Sequence, residues 1–161
     1  MLEIDPVKFA EVRKRAEEEY SAISKVRCPY LNMEVSFSRE GFEHLLFKSW
    51  NRTRSMVEQY IRLKLIRLAP QVVQKSHTLQ EYKEQKLMVR QKLKSGWGSR
   101  MRLVRYYVFV AIINEARMKV IVKEIEGGKP FFYNLYPSWK IEVDVNGQKR
   151  KKFFSGNPET D

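Results

Sequence analysis

The sequence predicts an α+β fold in which N-terminal helices pack on a C-terminal antiparallel sheet of about four to five strands, a meander plus a hairpin. Two observations carry this. Apolar residues before Pro70 recur at helical spacing, whereas after Val104 they gather in β-branched and aromatic runs separated by Asn114-Glu115 and Gly127-Gly128. Asn146-Gly147 inside the segment 141–154 is the strongest short hairpin signal in the chain.

Asp5-Pro6 opens the first helix as an N-cap followed by proline, and Phe9, Val12, Ala16, Tyr20 and Ile23 keep helical spacing to about Val26. Six acidic and five basic residues up to Val26 nearly cancel, so this helix reads as scaffold. Cys28-Pro29 breaks the pattern, and Met33, Val35 and Phe37 alternate with polar neighbours in a short strand reaching Ser38, a cap for the next helix. From Glu40 to about Trp50 that helix turns Phe42, Leu45 and Leu46 inward. A further helical stretch places Val57, Ile61, Leu65 and Leu68 on one stripe, and Pro70 starts another turn. From Lys83 to Arg105 eight basic residues accompany one acidic residue, Glu84, and Gly96-Trp97-Gly98 marks this block as a flexible, exposed basic segment.

Val104 to Ile113, Arg117 to Ile125 and Phe131 to Trp139 form the meander. If Gly127-Gly128 makes a two-residue turn, Glu126 pairs with Lys129, and the register sets Asn134 near Ile121 and Tyr136 near Lys119. A one-residue slip brings in Tyr133 instead. Ile141 to Val145 returns through Gln148 to Phe154, and the run Lys149-Arg150-Lys151-Lys152 makes this hairpin a solvated arm. With no repeat or linker, the chain reads as one domain over 1–161: a scaffold helix at 1–26, a core at 27–140, a basic hairpin at 141–154 and a loose tail at 155–161.

Lysine and arginine number 31 against 19 acidic residues, and the resulting charge of +12 favours a polyanionic partner, RNA or DNA first among them. A basic protein of unrelated role is the alternative. The single cysteine, Cys28, excludes an internal disulfide and reads as a small buried hydrophobe in a reducing, cytoplasmic setting. The longest unbroken apolar run, Tyr106 to Ile113, has eight residues, well short of the ~20 of a membrane span, so no anchor or signal peptide is expected.

His44, Lys48 and Arg52 stand at i, i+4 and i+8 and share one face if the helix persists that far. A histidine can move a proton near neutral pH while neighbouring cations stabilise charge on a phosphorane, which suits phosphodiester cleavage. An exposed histidine on a solvated basic face is the other reading. Alternation along 117–123 sets Arg117, Lys119 and Lys123 on one sheet face, with Asn134 and Tyr136 brought alongside, or else these long side chains merely cover apolar surface. Trp97, between glycines, is the tryptophan best placed to stack on a base. Aspartate occurs only at Asp5, Asp144 and Asp161, and there is no phosphate-cradling glycine loop, so neither a metal nor another cofactor is expected.

These residues also carry a family likeness. The runs Cys28-Pro-Tyr-Leu-Asn, Val35-Ser-Phe-Ser-Arg-Glu-Gly-Phe-Glu-His44-Leu-Leu-Phe-Lys48, Arg62-Leu-Lys-Leu-Ile-Arg-Leu-Ala-Pro70, Lys119-Val-Ile-Val-Lys123 and Phe132-Tyr-Asn-Leu-Tyr-Pro137 resemble small phage-related nuclease-like proteins grouped with the barnase, EndoU, colicin and RelE superfamily. The resemblance implies metal-independent RNA cleavage, with His44 and Lys119 as the main positions and Lys48, Arg52, Arg54 and Arg117 on phosphate. Such proteins carry a serine before the proline-containing strand end. Here the residue is Asn134, which cannot act as acid or base and leaves a degenerate, binding-only member open.

The expected function is a toxin-like ribonuclease, with an acidic antitoxin or immunity protein covering its basic face. A non-catalytic nucleic-acid-binding module is the first alternative, and a scaffold for an acidic protein or anionic membrane surface a weaker one.

Overall fold

The computed structural model describes residues 3–49, 51–138, 141–143, 149–151 and 158–159, of which 141–143 and 149–151 as backbone only. Helix α1 (Pro6–Ala22) starts as expected, the Asp5 carboxylate accepting from Val7 N at 3.0 Å. It stops four residues short of Val26. Phe37 N donates to Ser24 O at 3.0 Å, which commits Ser24 to the sheet, and Val26 pairs with Val35 in the hairpin of β1 (Lys25–Cys28) and β2 (Met33–Ser36).

Helix α2 (Arg39–Leu46) is also shorter than its apolar pattern suggests. The Leu46 carbonyl accepts from Arg54 N at 2.9 Å, and the chain turns extended at Phe47 into a small hairpin, β3 (Phe47–Ser49) with β4 (Arg52–Thr53). Lys48 and Arg52 therefore leave the helix, and the expected i, i+4, i+8 face of His44, Lys48 and Arg52 does not form. Helix α3 (Met56–Leu65) opens with a capping box between Ser55 and Glu58. A single 3-10 turn, Ile66–Leu68, leads to α4 (Ala69–Lys75), where Pro70 sits in the first turn as expected.

The remaining elements are β5 (Glu81–Leu93), β6 (Gly96–Ile113), β7 (Ala116–Ile125), β8 (Phe131–Pro137), β9 (Ile141–Val143) and β10 (Lys149–Lys151). The main sheet has six strands, more than expected, in the order β1-β2-β8-β7-β6-β5. All neighbours run antiparallel except β2 and β8, which are parallel and meet at one rung, Ser36 with Phe131. The meander is present, and Asn114 and Glu115 both take positive φ (50° and 67°), as the two-residue turn between β6 and β7 requires. The block expected as a flexible loop is instead an ordered ladder, with β5 and β6 paired from Glu81–Val108 out to Leu93–Gly96. Alternating exposure along β5 explains why it holds together as a strand. β9 pairs with β10 as a separate hairpin, while its turn at Asn146-Gly147, the end of its basic run at Lys152, and Trp50 and Trp139 lie outside the described residues.

The main core fills the space between the helices and one sheet face. Phe37 and Phe132 stack there with centroids 5.2 Å apart, beside Tyr20, Phe42, Leu45 and Val120, and Cys28 is buried among them as expected. Burial lifts the Tyr20 phenol far above its ordinary range, so its hydroxyl stays a donor, to Ser38 O at 2.6 Å. No helix among the described residues is long and apolar enough to cross a membrane.

Candidate active site

Strand β7 divides its side chains as alternation dictates. Met118, Val120 and Val122 enter the helix-side core, while Ile121 joins Val104, Tyr106, Val108 and Tyr133 in a smaller cluster on the opposite face. Lys119 and Lys123, in phase with Ile121, belong to that second face. Both are buried, at 1% and 5% exposure, so their ammonium groups need partners. Lys119 Nζ lies 3.5 Å from Glu81 of β5 and 5.8 Å from the Tyr136 ring centroid. Lys123 Nζ takes both carboxylate oxygens of Glu159, at 2.8 and 3.0 Å, and sits 4.4 Å from the Tyr133 ring centroid.

The register of β8 is where sequence expectation and structure diverge most usefully. Asn134 is opposite Ile121 and Tyr136 opposite Lys119, as expected, but Lys123 pairs with Phe131, and the ladder shifts between Ile121 and Val122. The shift is a bulge that sets two consecutive residues, Tyr133 and Asn134, against Ile121. A slip and the unslipped register were alternatives in the sequence. The bulge delivers both residues.

Because β2 leaves β8 after a single rung, the outer edge of β8 is open to α2 and α3. Gly41 of α2 makes this contact so closely that a Cβ there would fall 2.3 Å from Phe132 O. Three residues on, His44 (7% exposed) stacks on Tyr133 with centroids 4.2 Å apart and planes 24° from parallel. From α3, Arg62 Nη1 donates to Asn134 Oδ1 at 2.6 Å and to Leu135 O at 3.1 Å, and its guanidinium carbon lies 5.4 Å from the Tyr136 centroid. The buried stripe of α3 is thus Gln59, Arg62, Leu63 and, just beyond the helix, Ile66, rotated from the expected Val57, Ile61 and Leu65, because the helix meets polar groups as well as the core.

Arg54 is buried and turned inward. Its Nε donates to His44 O at 2.9 Å, and Nη2 lies 3.3 Å from His44 Nε2. A guanidinium can only donate, so this bond assigns the ring as the neutral tautomer protonated at Nδ1. Arg54 therefore orients the histidine.

Glu159 was placed by sequence in a loose tail. Pro158 is buried and Glu159 half-buried, its carboxylate held by Lys123. Burial, reinforced by this carboxylate, lifts the Tyr106 and Tyr133 phenols far above their ordinary range, and both hydroxyls remain donors toward Glu159. One ammonium and two phenols form an anion cradle. Beside it a cavity of about 620 Å³ is lined by Glu40, Glu43, His44, Phe47, Lys48, Ser49, Tyr133 and Glu159.

Lys48 thus stays at the site after leaving the helix, 3.8 Å from Glu58. Burial alone would raise the Glu58 carboxyl, but the Ser55 N–H and then Lys48, Arg62 and Arg54 bring it below its ordinary value. Arg52 is exposed on β4, and its side chain makes no ion pair or hydrogen bond among the described residues. Arg117 lies at the start of β7, and its buried Nε has no hydrogen-bond partner among them. The structure therefore gathers His44, Arg54, Lys48 and Lys123 about Tyr133, and Asn134, Tyr136 and Lys119 beside Arg62 on the same sheet face, and leaves Arg52 and Arg117 outside these contacts. No three His, Cys, Asp or Glu side chains among the described residues group as a metal site would need.

Comparison with known proteins returned no matching family model, no similar curated protein and no similar solved structure.

Proposed function

We propose that the chain is a metal-independent ribonuclease whose reaction centre is the Tyr133 side of the sheet. The observation that carries this reading is that the His44 ring and Lys123 Nζ both lie against the ring of Tyr133, at 4.2 and 4.4 Å, on the sheet face that Lys119 shares. In this reading a 2′-hydroxyl attacks the adjacent phosphorus and gives its proton to His44, Lys123 and Lys119 stabilise the phosphorane oxygens, and the P–O5′ bond breaks as the leaving oxygen takes a proton from water. Arg54 has to release Nε2 for that transfer, its Nε staying on His44 O. An acidic antitoxin or immunity protein remains the natural partner of such an activity.

Labelled RNA incubated with the protein in EDTA is expected to be cut to 2′,3′-cyclic ends, and the same sequence as DNA to be spared. RNA left intact at enzyme excess across neutral pH overturns the reading. The Glu159 carboxylate already occupies the Lys123 cradle, an intramolecular ligand at an effective concentration on the order of millimolar. Glu159→Gln is therefore expected to lower KM for RNA by roughly three- to tenfold, as the neutral amide competes less with phosphate. A fall in kcat instead would make Glu159 part of the chemistry.

A second reading, a non-catalytic RNA- or DNA-binding module, is favoured by one observation: Lys119 is 1% exposed and paired with Glu81. Binding and cleavage assayed separately for His44→Ala and Lys119→Ala distinguish the two, since a pure binder loses nothing with the histidine.

A further inference from the structure

Strand β7 covers β6 only from Val104 onward, so residues 96–103 of β6 and their partners 86–93 of β5 extend past the sheet as a two-stranded ribbon. Eight residue pairs at ~3.4 Å each give it a length of about 25 Å. Over residues 85–104 the sequence has six cations (Lys86, Arg90, Lys92, Lys94, Arg100, Arg102) and no acidic residue, a net +6 out of the chain's +12. Lys86, Arg90, Lys92, Lys94 and Arg100 are exposed and form no ion pair among the described residues. One ribbon face interleaves Lys86, Arg90 and Lys92 with apolar groups, while Arg100, opposite Val89, stands on the other face. Met88 pairs across from Met101, Lys92 from Trp97, and Trp97 is 67% exposed with the Arg90 guanidinium 5.6 Å from its ring.

A ribbon with one face open to solvent, and with Leu87 and Val89 of the other packed on the smaller cluster, gains little on its open side and is marginal by itself. Cations alternating with an exposed indole and two thioethers match a single-stranded nucleic acid, whose phosphates take the charges and whose unstacked bases take the indole. We propose that this ribbon is an RNA-binding arm that holds a single-stranded stretch of the substrate outside the reaction centre. The choice of RNA rests on the ribonuclease reading, but the arm's binding does not depend on cleavage.

The test measures anisotropy of a fluorescent single-stranded RNA with the His44→Ala protein, so that no cleavage intervenes. Lys86→Gln/Arg90→Gln/Lys92→Gln is expected to weaken binding by ten- to a hundredfold and to flatten the logarithmic salt dependence by about 2, at ~0.7 per lost phosphate contact. Trp97→Ala is expected to weaken it about tenfold with little change in salt dependence. Unfolding curves of these variants should superimpose on that of the parent. A control triple on exposed residues of α1, Lys8→Gln/Lys14→Gln/Arg15→Gln, should leave affinity within twofold. Equal loss from the α1 control, unchanged binding by the ribbon variants, or equal competition by poly-glutamate overturns the arm. So does preference for duplex over single strand, or a dimer in sedimentation whose free β5 edges pair two copies. If RNA is bound through the ribbon and never cut by the parent chain, the ribonuclease reading fails and the arm stands.

Discussion

His44→Ala is expected to slow RNA cleavage by about a hundred- to ten-thousandfold, the range over which a positioned acid or base accelerates proton transfer, while changing RNA affinity by less than about threefold. The asymmetry follows from the contacts. The ring meets Tyr133 and Arg54, whereas the cations that attract phosphate come from other elements, so its removal takes the proton carrier and leaves the electrostatics. Arg54→Lys makes the complementary test of positioning. An ammonium cannot donate to His44 O and lie beside His44 Nε2 in the planar, forked geometry of a guanidinium, so kcat should fall and its pH profile should move, with KM nearly unchanged. A purely structural Arg54 would instead lower the unfolding temperature without moving the pH profile of the surviving activity. Full cleavage by His44→Ala would remove this ring from the chemistry and move the reaction centre elsewhere.

The α+β class and the meander were legible because strand and helix periods differ and because paired turn residues separate the strands. The positions of Asn134 and Tyr136 opposite Ile121 and Lys119 followed from strand arithmetic. The bulge at Tyr133 did not. It depends on a longer connection after Ile125, with β8 starting only at Phe131, and no residue in the run Phe-Phe-Tyr-Asn announces it. His44 was legible as a candidate but not its setting, because the end of α2 is decided by Arg54 N capturing Leu46 O, a bond from a segment eight residues away. Arg54 looked like a phosphate ligand for the same reason: charge is visible in a sequence, and the direction a guanidinium faces is not. Arg62, Glu81, Tyr106 and Glu159 were missed as site residues. Only the last carried any signal, one of two acidic side chains in a tail whose docking is a tertiary event. The ribbon reads as a loop in the sequence because Gly96-Trp97-Gly98 breaks the apolar run, while the exposure alternation of β5 is carried largely by lysines and arginines that a hydrophobic pattern ignores.

Gly41→Ala should be the most damaging single-methyl addition to the described part of the chain. Its new Cβ would lie 2.3 Å from Phe132 O, 2.9 Å from Phe132 Cδ1 and 2.9 Å from the Tyr20 hydroxyl oxygen, and the first of these is backbone that cannot rotate aside. Relief requires α2 to move off the β8 edge by about 1 Å, against a core in which Phe42, Leu45 and Leu46 are all nearly fully buried. Overpacking of this kind costs about 2–4 kcal/mol, at or just above the usual range, and for a chain of this size should lower Tm by roughly 5–15 °C. The same movement carries His44 away from Tyr133, and a misplacement of about 1 Å costs on the order of a hundredfold in rate, so the surviving folded protein should also be a poor enzyme. Gly127→Ala is the matched control. Gly127 has φ +84° but open space around its Cβ, so the substitution costs only the ~1 kcal/mol of a left-handed alanine, and cleavage by the folded protein should be unchanged. Calorimetry and single-turnover cleavage at a temperature where both variants are folded provide the comparison. Equal stability of the two variants would mean that α2 does not rest on the Phe132 carbonyl. The placement of His44 over Tyr133 would then lose its structural basis.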